Sequence, residues 1–271
     1  MMICLNSLKR KAISLLSAAV LLSGNTAVMA EGEATPEPED PGNYGCRVID
    51  SYDYTTPVGW SDAIEESYYD DSLFAGDSRM GSLFLYGTHE NAEVRYVTSL
   101  NLLMIDNMTL DEEELTEEQI ENEEEITLMD VLRETTKANV YLLFGINEIR
   151  NPNFDLFGEK LDEIVAMLRE NNPAVDVYII LAYHPDEITN LPEPDLSEHL
   201  LMLNTKLIEV AQKNHVYYLN LDDGLNDAEG TVIDEYTWDG LHFNVEGTHA
   251  FEDYLATHVA RREVYVKETC E

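Results

Sequence analysis

Leu73-Phe74-Ala75-Gly76-Asp77-Ser78-Arg79-Met80-Gly81 is the stretch whose reading decides the fold. An apolar run ends there in Gly-Asp-Ser, which puts Ser78 at the C-terminal end of a predicted strand, where open α/β sheets build their sites. Outward from Leu73–Ala75, further apolar strands are predicted at 93–97, 140–144, 175–182 and 216–221. Between them, apolar residues recur at intervals of three and four over 155–170 and 196–213, and a last helix is predicted from about Val245 to Val259. Alternating helices and fully apolar strands predict a parallel sheet covered on both faces, hence an α/β fold: a three-layer α/β/α sandwich of flavodoxin-like type. Residues 44–271 contain no internal repeat and no second linker, and their length suits one domain.

Two distant segments supply partners for Ser78. Leu142-Leu143-Phe144-Gly145-Ile146-Asn147-Glu148 runs out of the strand predicted at 140–144, and Trp238-Asp239-Gly240-Leu241-His242-Phe243 precedes the last helix. A serine hydroxyl is a poor nucleophile near neutrality, so it needs a base and a group that holds the base in one tautomer. Ser78, His242 and Asp239 fit those catalytic roles, and Asn147 can offer its side-chain NH₂ to a developing oxyanion. Singly, Ser78 also reads as a helix N-cap, His242 as a loop histidine, Asp239 as a turn residue and Asn147 as a strand-exit cap. Arg79, His184 and Trp238 are candidates to line the substrate, with helix start, ordinary turn and buried aromatic as their structural readings. Asp77 reads as a buttress of the turn and His249 as packing or surface. Asp239, His242 and His249 lack a recognised metal-ligand motif, so neither a metal nor any other cofactor is expected. Gly81 lies three residues after Ser78, and Asp239 shares a segment with His242, which sets the pattern apart from the Gly-x-Ser-x-Gly elbow of α/β-hydrolases.

These segments resemble the motif blocks of the GDSL/SGNH hydrolases over roughly Leu73 to Val259. Gly76-Asp77-Ser78 matches the first block, Gly145-Ile146-Asn147-Glu148 the third and Asp239-Gly240-Leu241-His242 the fifth. Glu148 stands where the family usually has Asp. The second-block glycine, expected near the end of Glu93–Leu100, is missing, and by position Ser99 replaces it. The resemblance implies the SGNH hydrolase fold, a serine esterase activity, and an oxyanion hole of the Ser78 and Ser99 backbone N–H groups with Asn147. It leaves the substrate open among acetylated carbohydrates, other short esters, lysophospholipids and thioesters. Acyl transfer, or a surface-binding module without activity, are the alternatives.

The first 30 residues read as a secretory signal peptide: Lys9, Arg10 and Lys11, an apolar stretch Ala12–Leu22, and Val28-Met29-Ala30 as a cleavage site. The stretch falls short of the ~20 residues of a spanning helix, so no lasting membrane insertion is expected. Residues 31–43 are Glu- and Pro-rich and read as a disordered leader. With 54 Asp and Glu against 16 Lys and Arg, the formal charge is −38. Loss of the first 30 residues takes it to about −41. Such a charge repels nucleic acids and anionic membranes. Much of it lies in Asp106–Glu125, within an insertion at about 106–127 read as solvated and partly helical. Cys46 and Cys270 remain near the two ends, where an oxidising exterior would let them pair. The expectation is a secreted or cell-wall-associated esterase acting on a small-molecule or polysaccharide ester, with O-deacetylation of carbohydrate favoured because no apolar lid is evident.

Overall fold

The computed structural model describes residues 47–269. The stretches expected to be a signal peptide and a leader, residues 1–30 and 31–43, lie outside the described residues, as do Cys46 and Cys270. The described residues fall within one compact unit. In chain order its elements are β1 (Arg47–Asp50), β2 (Ser72–Asp77), α1 (Gly81–Tyr86), β3 (Glu93–Val97), α2 (Glu117–Glu121), α3 (Leu128–Glu134) and β4 (Asn139–Leu143). There follow α4 (Phe154–Asn171), β5 (Asp176–Ile180), α5 (Asp195–Asn214), β6 (Tyr217–Leu219), α6 (Asp222–Leu225), α7 (Val245–Thr257), α8 (Arg262–Tyr265) and β7 (Val266–Thr269).

The central sheet has five parallel strands in the order β3-β2-β4-β5-β6. Counted within the sheet this is the 2-1-3-4-5 order of flavodoxin-like folds, with the change of winding direction beside β2. Alternate residues of each strand enter opposite cores. Leu73, Ala75, Val140, Leu142, Val177 and Ile179 pack with α3, α4 and α5. On the other face, Phe74, Tyr141, Tyr178 and Tyr217 occupy one register across four strands. The rings of Phe74–Tyr141 and Tyr141–Tyr178 stack, with centroids 4.5 Å and 4.4 Å apart, and Tyr217 meets Tyr178 at a tilt, with centroids 5.0 Å apart. Each such contact adds about 0.5–1.5 kcal/mol beyond burial. This aromatic row lies under α1 and α7 and fixes the register that brings the strand exits level.

Two features depart from the sequence reading. A separate antiparallel pair, β1 with β7, joins the ends of the described chain, Arg47 opposite Thr269. The acidic insertion is only partly solvated: Glu114 is 5% exposed, and its Oε1 accepts the Tyr96 N–H at 2.8 Å. Tyr96 belongs to the edge strand β3, whose outward N–H needs an acceptor. The insertion thus supplies an edge cap, while burial pushes the Glu114 carboxyl up to about 7.

Candidate active site

The order β3-β2-β4 places the exit of β2, and with it Ser78, between the segments that carry Ser99 and Asn147. A Cβ at Gly76 would lie 2.7 Å from the Leu143 carbonyl oxygen of β4, so a side chain there would push β4 away from the turn. Ser78 is half-buried. Its Oγ lies 2.9 Å from Nε2 of His242, and His242 Nδ1 lies 2.8 Å from Oδ2 of Asp239. A proton on Nδ1 shared with the carboxylate leaves the Nε2 lone pair facing the Ser78 hydroxyl.

A small hairpin builds the His-Asp half of this line. Trp238 N–H donates to His242 O at 3.0 Å and Asn244 N–H to Tyr236 O at 2.9 Å. Asn244 then caps α7 by accepting the Gly247 N–H, while its Nδ2 donates to Glu235 O. Within the turn, Asp239 Oδ1 accepts the N–H groups of Leu241 at 3.1 Å and His242 at 2.8 Å. Burial alone would raise the Asp239 carboxyl, but hydrogen bonds from the His242 backbone and ring hold it below the ordinary carboxylate value. Gly240 has φ +77°, and a Cβ there would lie 2.6 Å from Asp186 Cβ. Tyr183, from the exit of β5, donates its hydroxyl to Leu241 O and ties the hairpin to the sheet.

The other candidates fall in different places. Arg79 does not line the entrance: it is 1% exposed and pairs with Asp77, Nε to Oδ1 at 2.9 Å and Nη2 to Oδ2 at 2.8 Å. Its guanidinium lies 5.7 Å from the Tyr183 ring centroid. Burial would lower its pKa, but the Asp77 carboxylate more than offsets that and raises it. This fork straddles Ser78 in sequence and fixes the turn from beneath. Ser99 is exposed with φ +59°, the left-handed conformation that glycine adopts readily, in the place where the resemblance expects glycine. Asn147 donates through Nδ2 to Leu100 O at 2.9 Å, which orients the amide and leaves a second hydrogen for another acceptor.

His184 is engaged away from Ser78, with Nδ1 2.8 Å from Pro185 O and Nε2 3.0 Å from Ser197 Oγ and 3.1 Å from Glu193 Oε1. Trp238 is 67% exposed beside Asp239, rather than buried behind the loop. His249 is exposed on α7. Among the described residues no group of three His, Cys, Asp or Glu side chains is placed to hold a metal ion, and no helix is long and apolar enough to cross a membrane. Sequence reasoning missed Tyr183, although an aromatic at the end of an apolar strand was a visible signal, and it noted Glu148 only as a departure from the family pattern.

Glu148 is 5% exposed and its Oε1 accepts the Leu102 N–H at 2.5 Å. Burial, then the Leu102 N–H pulling the other way and the Asp77 charge adding to burial, leaves its carboxyl pushed up to about 7.

A doubly covered parallel sheet with a Ser-His-Asp line at its C-terminal edge defines a hydrolase-type α/β domain. The family model for GDSL-like lipases and acylhydrolases matches residues 107–250, just over half of the 271 residues, and the chain belongs to this family of ester-acting hydrolases. The matched stretch holds Asn147, Asp239 and His242 and begins after Ser78. A GDSL-like lipase from Bacteroides thetaiotaomicron shares the fold with a TM-score of 0.51, at 15% identity, over 68% of this chain and 84% of that one. A carbohydrate esterase of family 3 from Talaromyces cellulolyticus is similar over 68% of this chain and 93% of its own, at 13% identity and a TM-score of 0.44. That likeness is too distant to inform more. No curated protein matches the chain in sequence.

Proposed function

We propose that this protein is an exported serine esterase that removes short acyl groups, acetyl above all, from carbohydrate. The observation that carries the reading is the continuous line from Ser78 Oγ to His242 Nε2 at 2.9 Å and from Nδ1 to Asp239 Oδ2 at 2.8 Å. His242 takes the Ser78 proton as Oγ attacks the ester carbonyl, and Asp239 stabilises the imidazolium that forms. Negative charge on the former carbonyl oxygen is met by the Ser78 and Ser99 backbone N–H groups and the second amide hydrogen of Asn147, each donor worth about 3–4 kcal/mol in such sites. The alcohol leaves with the proton from His242. Water, deprotonated by the same imidazole, then releases the acid from the acyl-serine.

A bulky alcohol is supported by the openness of the site: the side chains of His242 and Asp239 are 35% and 53% exposed, so a water-loving carbohydrate can approach them. The exposed Trp238 beside them offers an apolar face to a sugar ring. Export rests on the N-terminal sequence pattern. The test is a screen of the mature protein against aryl esters of graded chain length, acetylated xylan and acetylated peptidoglycan. Acetate release from a polysaccharide and a rate falling steeply with chain length are expected; a preference for long acyl chains or lysophospholipid would overturn the substrate reading.

A further inference from the structure

Ser99 is the strained point of the site. A non-glycine residue at φ +59° is disfavoured by about 1–2 kcal/mol and persists only where its surroundings hold it. Two side chains from the turn after β4 grip the backbone just beyond it: Asn147 Nδ2 donates to Leu100 O, and Glu148 Oε1 accepts from Leu102 N. Leu102 opens a short 3-10 turn, Leu102–Met104, whose leading N–H groups have no partner within the turn. The exits of β3 and β4 are not neighbours, because β2 lies between them, so this grip passes across the strand that presents Ser78.

We infer that Glu148 is a positioning residue for the oxyanion hole: through Leu102 it holds the Ser99 segment in register with Asn147. The inference rests on the esterase reading and adds a residue that touches no substrate. Burial makes the bond from Leu102 strong and removes water as a substitute acceptor. Glu148 Oε2 and Arg79 Nη1 are both buried without a hydrogen-bond partner among the described residues, and their charges act on one another. The Asp77–Arg79 fork beneath Ser78 is thereby linked electrostatically to the clamp as well.

The test compares Glu148→Ala, Glu148→Gln and the double variant Glu148→Ala/Ser99→Gly, each confirmed folded by circular dichroism and assayed with an aryl acetate. Glu148→Ala is expected to lower kcat by about 10–100-fold with KM within about threefold, since the donors act on the transition state. Glu148→Gln, which keeps an acceptor oxygen, should retain kcat within about fivefold. Ser99→Gly should recover part of the loss by relieving the left-handed strain. Should Glu148→Ala fail to fold, Glu148→Met against Glu148→Gln carries the same comparison of side chains without and with an acceptor. A kcat for the variant lacking an acceptor within twofold of wild type, a loss confined to KM, or equal damage by Gln would overturn the inference. Fluorophosphonate labelling of the wild-type protein separates the two levels. A labelled Ser78 with Glu148 variants unaffected rejects the clamp alone, and an unlabelled, inactive wild type rejects the esterase reading and the clamp with it.

Discussion

Asp239 grips His242 twice: Oδ2 lies 2.8 Å from the ring Nδ1, and Oδ1 accepts the His242 backbone N–H at 2.8 Å. One carboxylate therefore closes the turn and orients the imidazole, which is why three residues of separation suffice where other folds bring the acid from a distant strand end.

The double grip makes Asp239→Asn informative. Asparagine can keep the turn through its oxygen but presents no charge to an imidazolium, and it can favour the wrong tautomer. On the proposed mechanism His242→Ala should reduce kcat by about as much as loss of the nucleophile, and Asp239→Asn should leave more activity. Steady-state rates of the folded variants check this, and an undiminished His242→Ala enzyme would contradict it.

The Asp77–Arg79 pair is fully buried, with both side chains at 0% exposure. Removing one partner strands the other's charge, so Asp77→Asn is expected to destabilise the fold by about 3–5 kcal/mol, more than replacement of both residues by apolar ones of similar volume. Denaturant unfolding checks the order; a change under about 1 kcal/mol for Asp77→Asn would mean that the guanidinium finds another partner.

Stability should also depend on pH through Glu114 and Glu148, both raised from the ordinary 4.5 to about 7 by burial. The folded state then binds protons more tightly than the unfolded one, so stability is highest below about 4.5 for these two groups, falls as pH rises towards 7 and is lowest above it. Asp239, Asp106 and Asp130 are shifted the other way and withdraw stability as pH falls below their ordinary 3.8. The melting temperature should therefore be higher near pH 5 than near pH 8, with relief of the large negative charge adding to the trend. A melting temperature that climbs from pH 5 to pH 8 would contradict this assignment.

The β1–β7 ladder has Arg47 opposite Thr269, and the next residues in sequence are Cys46 and Cys270. Both cysteines lie outside the described residues, and a disulfide between them is a prediction. Closing so long a loop can contribute up to about 5 kcal/mol. Mass spectrometry of the non-reduced, aerobically produced protein should find one Cys46–Cys270 bridge, and reduction should lower the melting temperature. Two free thiols would dismiss it.

What the sequence made legible followed from period and apolarity. The parallel strands are runs such as Val140–Leu143 and Val177–Ile180, buried on both faces. β1 and β7 were hidden because Arg47–Asp50 and Val266–Thr269 are short and mixed, and their pairing depends on residues far apart in sequence. The segments of Ser78, Asp239 and His242 stood out because their neighbours carry turn chemistry, and the structure brings the three side chains together. Arg79 was misread because a charged residue after a strand suggests solvent, and only its spacing from Asp77 hinted at an internal fork. Glu114 and Glu148 were obscured for the same reason, since burial of a carboxylate depends on which backbone N–H it meets. Trp238 read equally well as buried, and only the hairpin decides that it faces outward.

The central claim is that Ser78 is the nucleophile. The most direct measurement is incubation of the mature protein with a fluorophosphonate, followed by peptide mass spectrometry and an aryl acetate assay, beside Ser78→Ala. The account predicts one adduct, on Ser78, with loss of hydrolysis, and neither label nor turnover in the folded Ser78→Ala protein. An adduct elsewhere, or substantial turnover by folded Ser78→Ala, would contradict it.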